Sequence, residues 1–165
     1  MTLASENYLK VAVIGASSMI GSRFCELSQN LALIKTDLKG KISVDITDRE
    51  SVQNFFKEYD FKWIILFSAF TDVDAAEKQR GRKGGSCWQI NVEGAKNVVS
   101  ACRTYQRKLI FISTDFVFDG TSGPYSEKDQ VGPNLDMVSW YGITKIEAER
   151  FIKDNLSTFL IIRIA

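Results

Sequence analysis

The sequence has 165 residues, 45% of them hydrophobic and 25% charged, which suits one soluble globular domain able to bury a core. Its 21 basic and 20 acidic residues leave a formal net charge of +1, so nothing in the balance points to nucleic acid or to an anionic membrane surface. The absence of histidine excludes histidine bases and histidine-ligated metals, and the three spaced cysteines Cys25, Cys87 and Cys102 form no C-x-x-C pair, so no metal site or disulfide framework is expected.

Leu9-Lys10-Val11-Ala12-Val13-Ile14 is a short apolar run ending at Gly15 and reads as a buried strand. Gly15-Ala16-Ser17-Ser18-Met19-Ile20-Gly21 follows, and Ile20, Phe24, Leu27 and Leu31 then recur at helical spacing. Strand, glycine turn and helix in one short unit form the context of a dinucleotide fingerprint. Gly15 would permit the tight turn and Gly21 the close approach of helix to strand. The helix N-terminus would face a pyrophosphate with free N–H groups. A plain strand-to-helix turn is the alternative. Leu31 to Thr36 reads as a second strand, and Asp37 lies 22 residues after Gly15. That is close to where an acid grips an adenosine ribose, although an ordinary turn aspartate fits the same position.

Ile42-Ser43-Val44 reads as a short strand, followed by Asp45-Ile46-Thr47-Asp48. Thr47 or Asp48 can cap a helix whose apolar face is Val52, Phe55 and Phe56. Trp63 to Phe67 is a further buried strand, ending in Ser68-Ala69-Phe70-Thr71, where backbone could approach a ligand. Asp72 to Gln79 looks helical. Gly81-Arg82-Lys83-Gly84-Gly85-Ser86 is a basic glycine-rich loop, read as a mobile surface loop with a phosphate cradle as the alternative. Trp88, Val92, Ala95, Val99 and Cys102 form a helical stripe through about Tyr105, with Asn91 on the same helix.

Leu109 to Ile112 is a strand leading into Ser113-Thr114-Asp115, polar residues at a strand's C-terminal end, where open α/β sheets build sites. Gly120 to Pro133 is loop. Ser139 begins a helix carrying Tyr141 and Lys145, with Ile146, Ala148, Phe151 and Ile152 on its buried side, and Phe159 to Ile162 is the last strand. Strands alternate with helices throughout, so the expected fold is α/β, a doubly wound parallel sheet of Rossmann type with helices on both faces.

Tyr141 and Lys145 are four residues apart, one helical turn, on one face. A tyrosine has a reference pKa of about 10, and a nearby lysine cation stabilises its phenolate and lowers that value. Such a tyrosine is a usable acid or base, able to protonate a carbonyl oxygen while a hydride reaches the carbon. A surface contact is the bland alternative for the spacing alone. Cys25 and Cys102 fall in apolar helical patterns and read as core thiols, which fits a reducing, cytoplasmic location. Met1 to Glu6 has no basic or apolar leader pattern, and no apolar run is long enough to span a bilayer.

Taken together these segments resemble the extended short-chain dehydrogenases/reductases, and within them the dTDP-4-dehydrorhamnose reductases. Gly15 to Gly21 matches the family's glycine turn, and Asp45-Ile46-Thr47-Asp48 its D-I-T-D segment. Ser68 to Glu77 is similar to A-A-Y-T-x-V-D-x-A-E, and Ile90-Asn91-Val92-Glu93-Gly94 to I-N-x-x-G. Ser113-Thr114-Asp115-Phe116-Val117-Phe118-Asp119-Gly120 is close to S-T-D-Y-V-F-D-G, and Tyr141 to Lys145 is the Y-x-x-x-K pair. The resemblance implies an NADH- or NADPH-dependent reductase of a 4-keto nucleotide sugar. It implies Tyr141 as proton donor and Thr114 as hydrogen-bond partner of the substrate carbonyl. Lys145 would hold the nicotinamide ribose, and Asp115 would face substrate. For the cofactor it implies Gly15, Ser17, Ser18, Met19, Ile20 and Gly21 at the pyrophosphate, Asp37 at the adenosine ribose, Asp45 and Ile46 at the adenine, and Ser68, Ala69 and Phe70 along the middle.

Two features depart from the family. Ser18 occupies the middle glycine position of G-x-x-G-x-x-G, placing a hydroxyl where backbone would approach phosphate. Family members also continue for about a hundred further residues that form a sugar-nucleotide domain. Residues 1–165 are therefore expected to be the Rossmann dinucleotide-binding domain without that second domain, with a homodimer left open. Phe116 stands where the related 4,6-dehydratases carry glutamate, which favours reduction over elimination. The resemblance also extends to the regulatory β-subunit of methionine adenosyltransferase, and a non-catalytic NAD(P)-binding subunit is the alternative function.

Overall fold

The computed structural model describes residues 8–165. Its five strands are Leu9–Ile14 (β1), Leu31–Thr36 (β2), Trp63–Leu66 (β3), Lys108–Thr114 (β4) and Phe159–Ile164 (β5). They form one sheet in the order β2-β1-β3-β4-β5, parallel throughout. From β1 the chain crosses outward to β2, then returns past β1 to β3 and continues the other way. The strand order therefore reverses beside β1, where Ile14 pairs with Thr36 on one side and Leu66 on the other. In an open α/β sheet such a reversal leaves a crevice at the C-terminal strand ends.

The helices are Met19–Leu27 (α1), Arg49–Glu58 (α2), Val73–Glu77 (α3), Ser86–Trp88 (α4), Ala95–Thr104 (α5) and Trp140–Asn155 (α6). Ser18, Asp48, Asp72 and Ser139 cap α1, α2, α3 and α6, each accepting a backbone N–H of the first turn. Asp48, rather than Thr47, is the cap of α2. α4 passes through a π-helical stretch, Gln89–Gly94, into α5, where the sequence stripe reads as one regular helix.

Two expectations change. Ile42-Ser43-Val44 does not join the sheet. Asp37 N–H donates to Ile42 O and Val44 N–H to Asp37 O, so these residues fold back on the end of β2 with one bridge between Asp37 and Ser43. The apolar series from Ile20 also stops at Leu27, because Ser28 ends α1 and Leu31 is already the first residue of β2.

Strand alternation divides the core. Ala12, Ile14, Ile64, Leu66, Leu109 and Phe111 pack with α2, α5 and α6. Val11, Val13 and Ile65 face the other way under Phe24 and Cys25 of α1, and the Phe24 and Phe67 rings lie 5.7 Å apart. Both faces carry helix, but unequally: toward α1, Leu160 and Ile162 of β5 remain 49% and 38% exposed. No helix among the described residues is long and apolar enough to cross a membrane.

Candidate active site

The crevice at the strand ends is built first by the glycine turn. Gly15 has φ +85°, a conformation that favours glycine, and its N–H donates to Thr36 O. A Cβ added to it would lie 2.7 Å from Ser68 N, so the turn runs hard against the end of β3. A Cβ on Gly21 would lie 2.2 Å from Gly15 O, which is why α1 can start so close to the strand. The Ser18 hydroxyl donates to Gly15 O at 2.7 Å and accepts from Gly21 N–H at 3.1 Å. Its proton is therefore used inside the turn. Ser17 N–H donates to the Asp37 carboxylate, joining the end of β2 to the same turn.

A cavity of about 440 Å³ opens over this turn, lined by Gly15, Ser17, Ser18, Asp37, Asp45, Ile46, Ser68 and Ala69, with Leu38, Thr47, Thr71 and Ile90. A second, of about 190 Å³, is lined by Ser18, Met19, Ile20, Ala69, Ser113, Tyr141 and Lys145. The two share Ser18, Phe67, Ala69 and Thr71, so they are halves of one cleft. Asp45 is fixed by accepting both Thr47 N–H (2.8 Å) and Thr47 Oγ1–H (2.7 Å), and Asn97 Nδ2 donates to Ile46 O at 2.9 Å.

Gly21 and Phe70 line neither half, and nor do Thr114 and Asp115, the residues expected at the substrate. Gly21 acts behind the turn. The Phe70 backbone is held by Asn91, which accepts its N–H at 2.8 Å and donates Nδ2–H to its carbonyl at 3.0 Å. Asn91 Nδ2 also donates to Thr144 Oγ1 on α6 at 3.0 Å. Sequence reading places Asn91 on its helix without this role; its signal is a polar residue inside an apolar stripe, since it is 3% exposed.

Thr114 ends β4 and caps a 3-10 turn, Asp115–Val117. Its hydroxyl accepts Phe116 N–H at 3.2 Å and donates to Asp115 Oδ1 at 3.1 Å. The start of α6 sits on that turn: a Cβ on Gly142 would meet Phe116 O at 2.2 Å. Glu77 accepts Trp140 N–H at 2.8 Å, placing an anion at the helix N-terminus, and Arg80 Nη2 donates to Val138 O at 2.7 Å. The Phe116 ring stands edge-on to Tyr141, with centroids 6.0 Å apart.

The electrostatics differ from the sequence expectation. The Tyr141 pKa is raised, not lowered: burial pushes it up, a hydrogen bond with Thr114 pulls it down, and Cys87 and Asp115 push it up further. Lys145 does not offset this. Its Nζ donates to Ile112 O at 2.7 Å and lies 4.1 Å from the centroid of the Phe111 ring. Burial takes its own pKa from 10.5 down to about 7, against Glu149 and then Cys87, which raise it. A lysine whose ammonium form burial disfavours stabilises a phenolate weakly, and Lys145 is not among the influences on Tyr141. The basic loop 81–86 lines neither half of the cleft, and Lys83 instead lies over the Trp88 ring at 4.8 Å.

Comparison with known proteins agrees with this geometry. The RmlD substrate binding domain family matches residues 9–165. A dTDP-4-dehydrorhamnose reductase of Streptomyces griseus is 34% identical over 155 residues, covering 93% of this chain and 48% of the relative. The β subunit of methionine adenosyltransferase 2 from Rattus norvegicus is 30% identical over 121 residues, 73% of this chain and 34% of that protein. The crystal structure of dTDP-4-dehydrorhamnose reductase from Bacillus anthracis in complex with NADP superposes with a TM-score of 0.83 at 31% identity, covering 94% of this chain and 53% of that one. The chain thus spans about half the length or less of these relatives. A reversed-order parallel sheet, a glycine turn facing a Tyr–Lys helix, and a match over the whole described length lead to one assignment: the chain belongs to the RmlD substrate binding domain family, within the extended short-chain dehydrogenases/reductases.

Proposed function

We propose that the chain is the dinucleotide-binding part of an NAD(P)H-dependent reductase of a 4-keto nucleotide sugar, of the kind that completes dTDP-rhamnose. The observation that carries this reading is the single cleft in which Ser18, Met19 and Ile20 of the glycine turn face Tyr141 and Lys145. The residues fit a dinucleotide. The larger half offers the Asp37 carboxylate for ribose hydroxyls and the fixed Asp45-Ile46 segment for adenine, and the glycine turn lies between the halves. A reduced nicotinamide supplies a hydride when bound.

Tyr141 supplies the proton. Its raised pKa keeps the phenol protonated at neutral pH, and an alkoxide forming on the sugar is basic enough to take that proton. Thr114 hydrogen-bonds the carbonyl beside Tyr141, Lys145 holds the nicotinamide ribose, and Asp115 faces the sugar. We place the groups that grip the nucleotide and hexose in the part of the relatives that these residues do not cover. The free thiols Cys25, Cys87 and Cys102 fit a reducing, cytoplasmic setting.

A second reading rests on the methionine adenosyltransferase β subunit among the relatives: a regulatory subunit that binds the dinucleotide without turnover. One experiment separates the two. NAD(P)H oxidation is followed with a dTDP-4-keto-6-deoxyhexose, on this chain and on the protein extended to the length of its relatives. Turnover by the extended protein supports the reductase, and binding without turnover supports the regulatory subunit. Absence of dinucleotide binding in both forms refutes each.

A further inference from the structure

Glu149 is 0% exposed, a burial that a carboxylate tolerates only when paired and hydrogen-bonded. It is fully engaged. Ser113 Oγ donates to Oε1 at 2.6 Å, Arg163 donates Nε–H to Oε1 at 3.0 Å and Nη2–H to Oε2 at 2.7 Å, and Lys153 Nζ lies 3.5 Å from Oε2. These partners come from three elements: β4, β5 and α6 itself. Glu149 also follows Lys145 by one helical turn, and Lys145 is anchored to Ile112 O, the residue next to Ser113. The proposed nicotinamide end of the cleft, lined by Ser113, Tyr141 and Lys145, therefore backs onto this ion pair.

We infer that Glu149 is a positioning residue for the Tyr141–Lys145 pair, locking α6 to β4 and β5 and setting a buried carboxylate one helical turn beyond Lys145. This rests on the reductase reading only in assigning Lys145 to the cofactor; the contacts themselves do not depend on it. The titratable and charged groups around this end of α6 are Tyr141, Glu149 and Lys153 on α6, Cys87 on α4, Asp115 after β4, and Arg163 on β5. Glu149 is the larger of the two influences favouring the Lys145 ammonium, with Cys87 second. Arg163 keeps Glu149 ionised, and its bidentate fork fixes the carboxylate.

The test is the side-chain NMR titration of Lys145 in isotope-labelled protein without ligand, its signal assigned by its loss in Lys145→Met. In Glu149→Gln the Lys145 midpoint should fall by about one pH unit or more. In Arg163→Lys, which keeps the charge and loses the fork, the midpoint should stay near wild type while the melting temperature drops. If Glu149→Gln does not fold, Glu149→Met with Arg163→Met replaces the pair by apolar side chains, a change that buried ion pairs often tolerate. The same fall is expected there. An unchanged midpoint in whichever of these variants folds overturns the inference, as does Arg163→Lys moving the midpoint as far as Glu149→Gln. Because no dinucleotide is present, these outcomes stand apart from the reductase reading, which dinucleotide binding decides separately.

Discussion

Burying Lys145 should make the stability of this domain rise with pH in a window where most proteins are flat or declining. Its residue is 2% exposed, and its pKa falls from 10.5 to about 7 on folding. Between those values the unfolded chain holds a proton that the folded chain has released. Unfolding therefore takes up protons, and raising the pH through this window favours the folded state. One pKa unit corresponds to about 1.4 kcal/mol, so the climb from pH 7 to pH 9 contributes at most about 2–3 kcal/mol from this group. Lys145→Met removes the titration while keeping an unbranched side chain beside Phe111. Urea unfolding of both proteins at half-unit steps from pH 6 to pH 9 isolates the effect, since other groups cancel in the difference. The expected result is a wild-type stability that gains on the variant by roughly 2 kcal/mol between pH 7 and pH 9 and changes little below pH 6. Two parallel curves would show that Lys145 keeps an ordinary pKa in its burial site and would refute the reasoning.

Asp37 should disfavour a 2′-phosphate by like-charge repulsion, softened by Lys35 and Lys39, so NADH is expected to bind at least as tightly as NADPH. Calorimetric titration checks this, and clearly tighter NADPH binding would contradict it. In the protein extended to the length of its relatives, Tyr141→Phe should abolish proton donation yet leave dinucleotide affinity nearly intact, whereas Lys145→Met should weaken dinucleotide binding itself. An unchanged dinucleotide affinity in Lys145→Met would disprove the ribose contact. Gly142→Ala gains up to about 1 kcal/mol of helix propensity but sets a Cβ 2.2 Å from Phe116 O, an overpacking worth about 1–3 kcal/mol, so a urea melt should show net destabilisation. The 165 residues alone should turn over little or no sugar nucleotide, because Thr114, Tyr141 and Lys145 polarise a carbonyl without positioning it. A steady-state rate near that of an intact reductase would show the substrate site to be misplaced. With Leu160 and Ile162 exposed, sedimentation should also show concentration-dependent self-association.

The strands were legible because each is a short apolar run closed by a turn residue, and the glycine turn because its conformation and its spacing both depend on glycine. Ile42-Ser43-Val44 misled because three β-branched or small residues satisfy the strand pattern without reaching a neighbouring strand; their hydrogen bonds close on Asp37 instead. The π-helical stretch was invisible because its residues keep a helical apolar spacing. Asn91 within it bonds Phe70 and Thr144, and those are contacts made only in three dimensions. The direction of the Tyr141 shift was misread for a related reason. Sequence spacing brings a lysine to the tyrosine's face but says nothing about burial, and burial is the largest influence on both groups. A glutamate on an amphipathic helix reads as solvated in sequence, and only Arg163, 14 residues further on and bonded to both carboxylate oxygens, shows Glu149 to be an anchor.

α6 is the helix that carries Tyr141 and Lys145, so its placement sets theirs. Three polar anchors hold it along its length: the exposed Glu77 on Trp140 N–H, and the buried Asn91 on Thr144 and Glu149 on Ser113 and Arg163. Tyr141 and Lys145 lie between successive anchors, and Lys145 Nζ is held as well, by Ile112 O. That arrangement leaves the phenol free of a structural bond other than the one with Thr114, which a carbonyl oxygen can share. It also means that damage remote from the cleft reaches the chemistry through helix placement. A displacement of about 1 Å in a reacting group can cost on the order of a hundredfold in rate. Loss of Asn91 or Glu77 should consequently be felt at Tyr141 even though neither side chain lines the cleft.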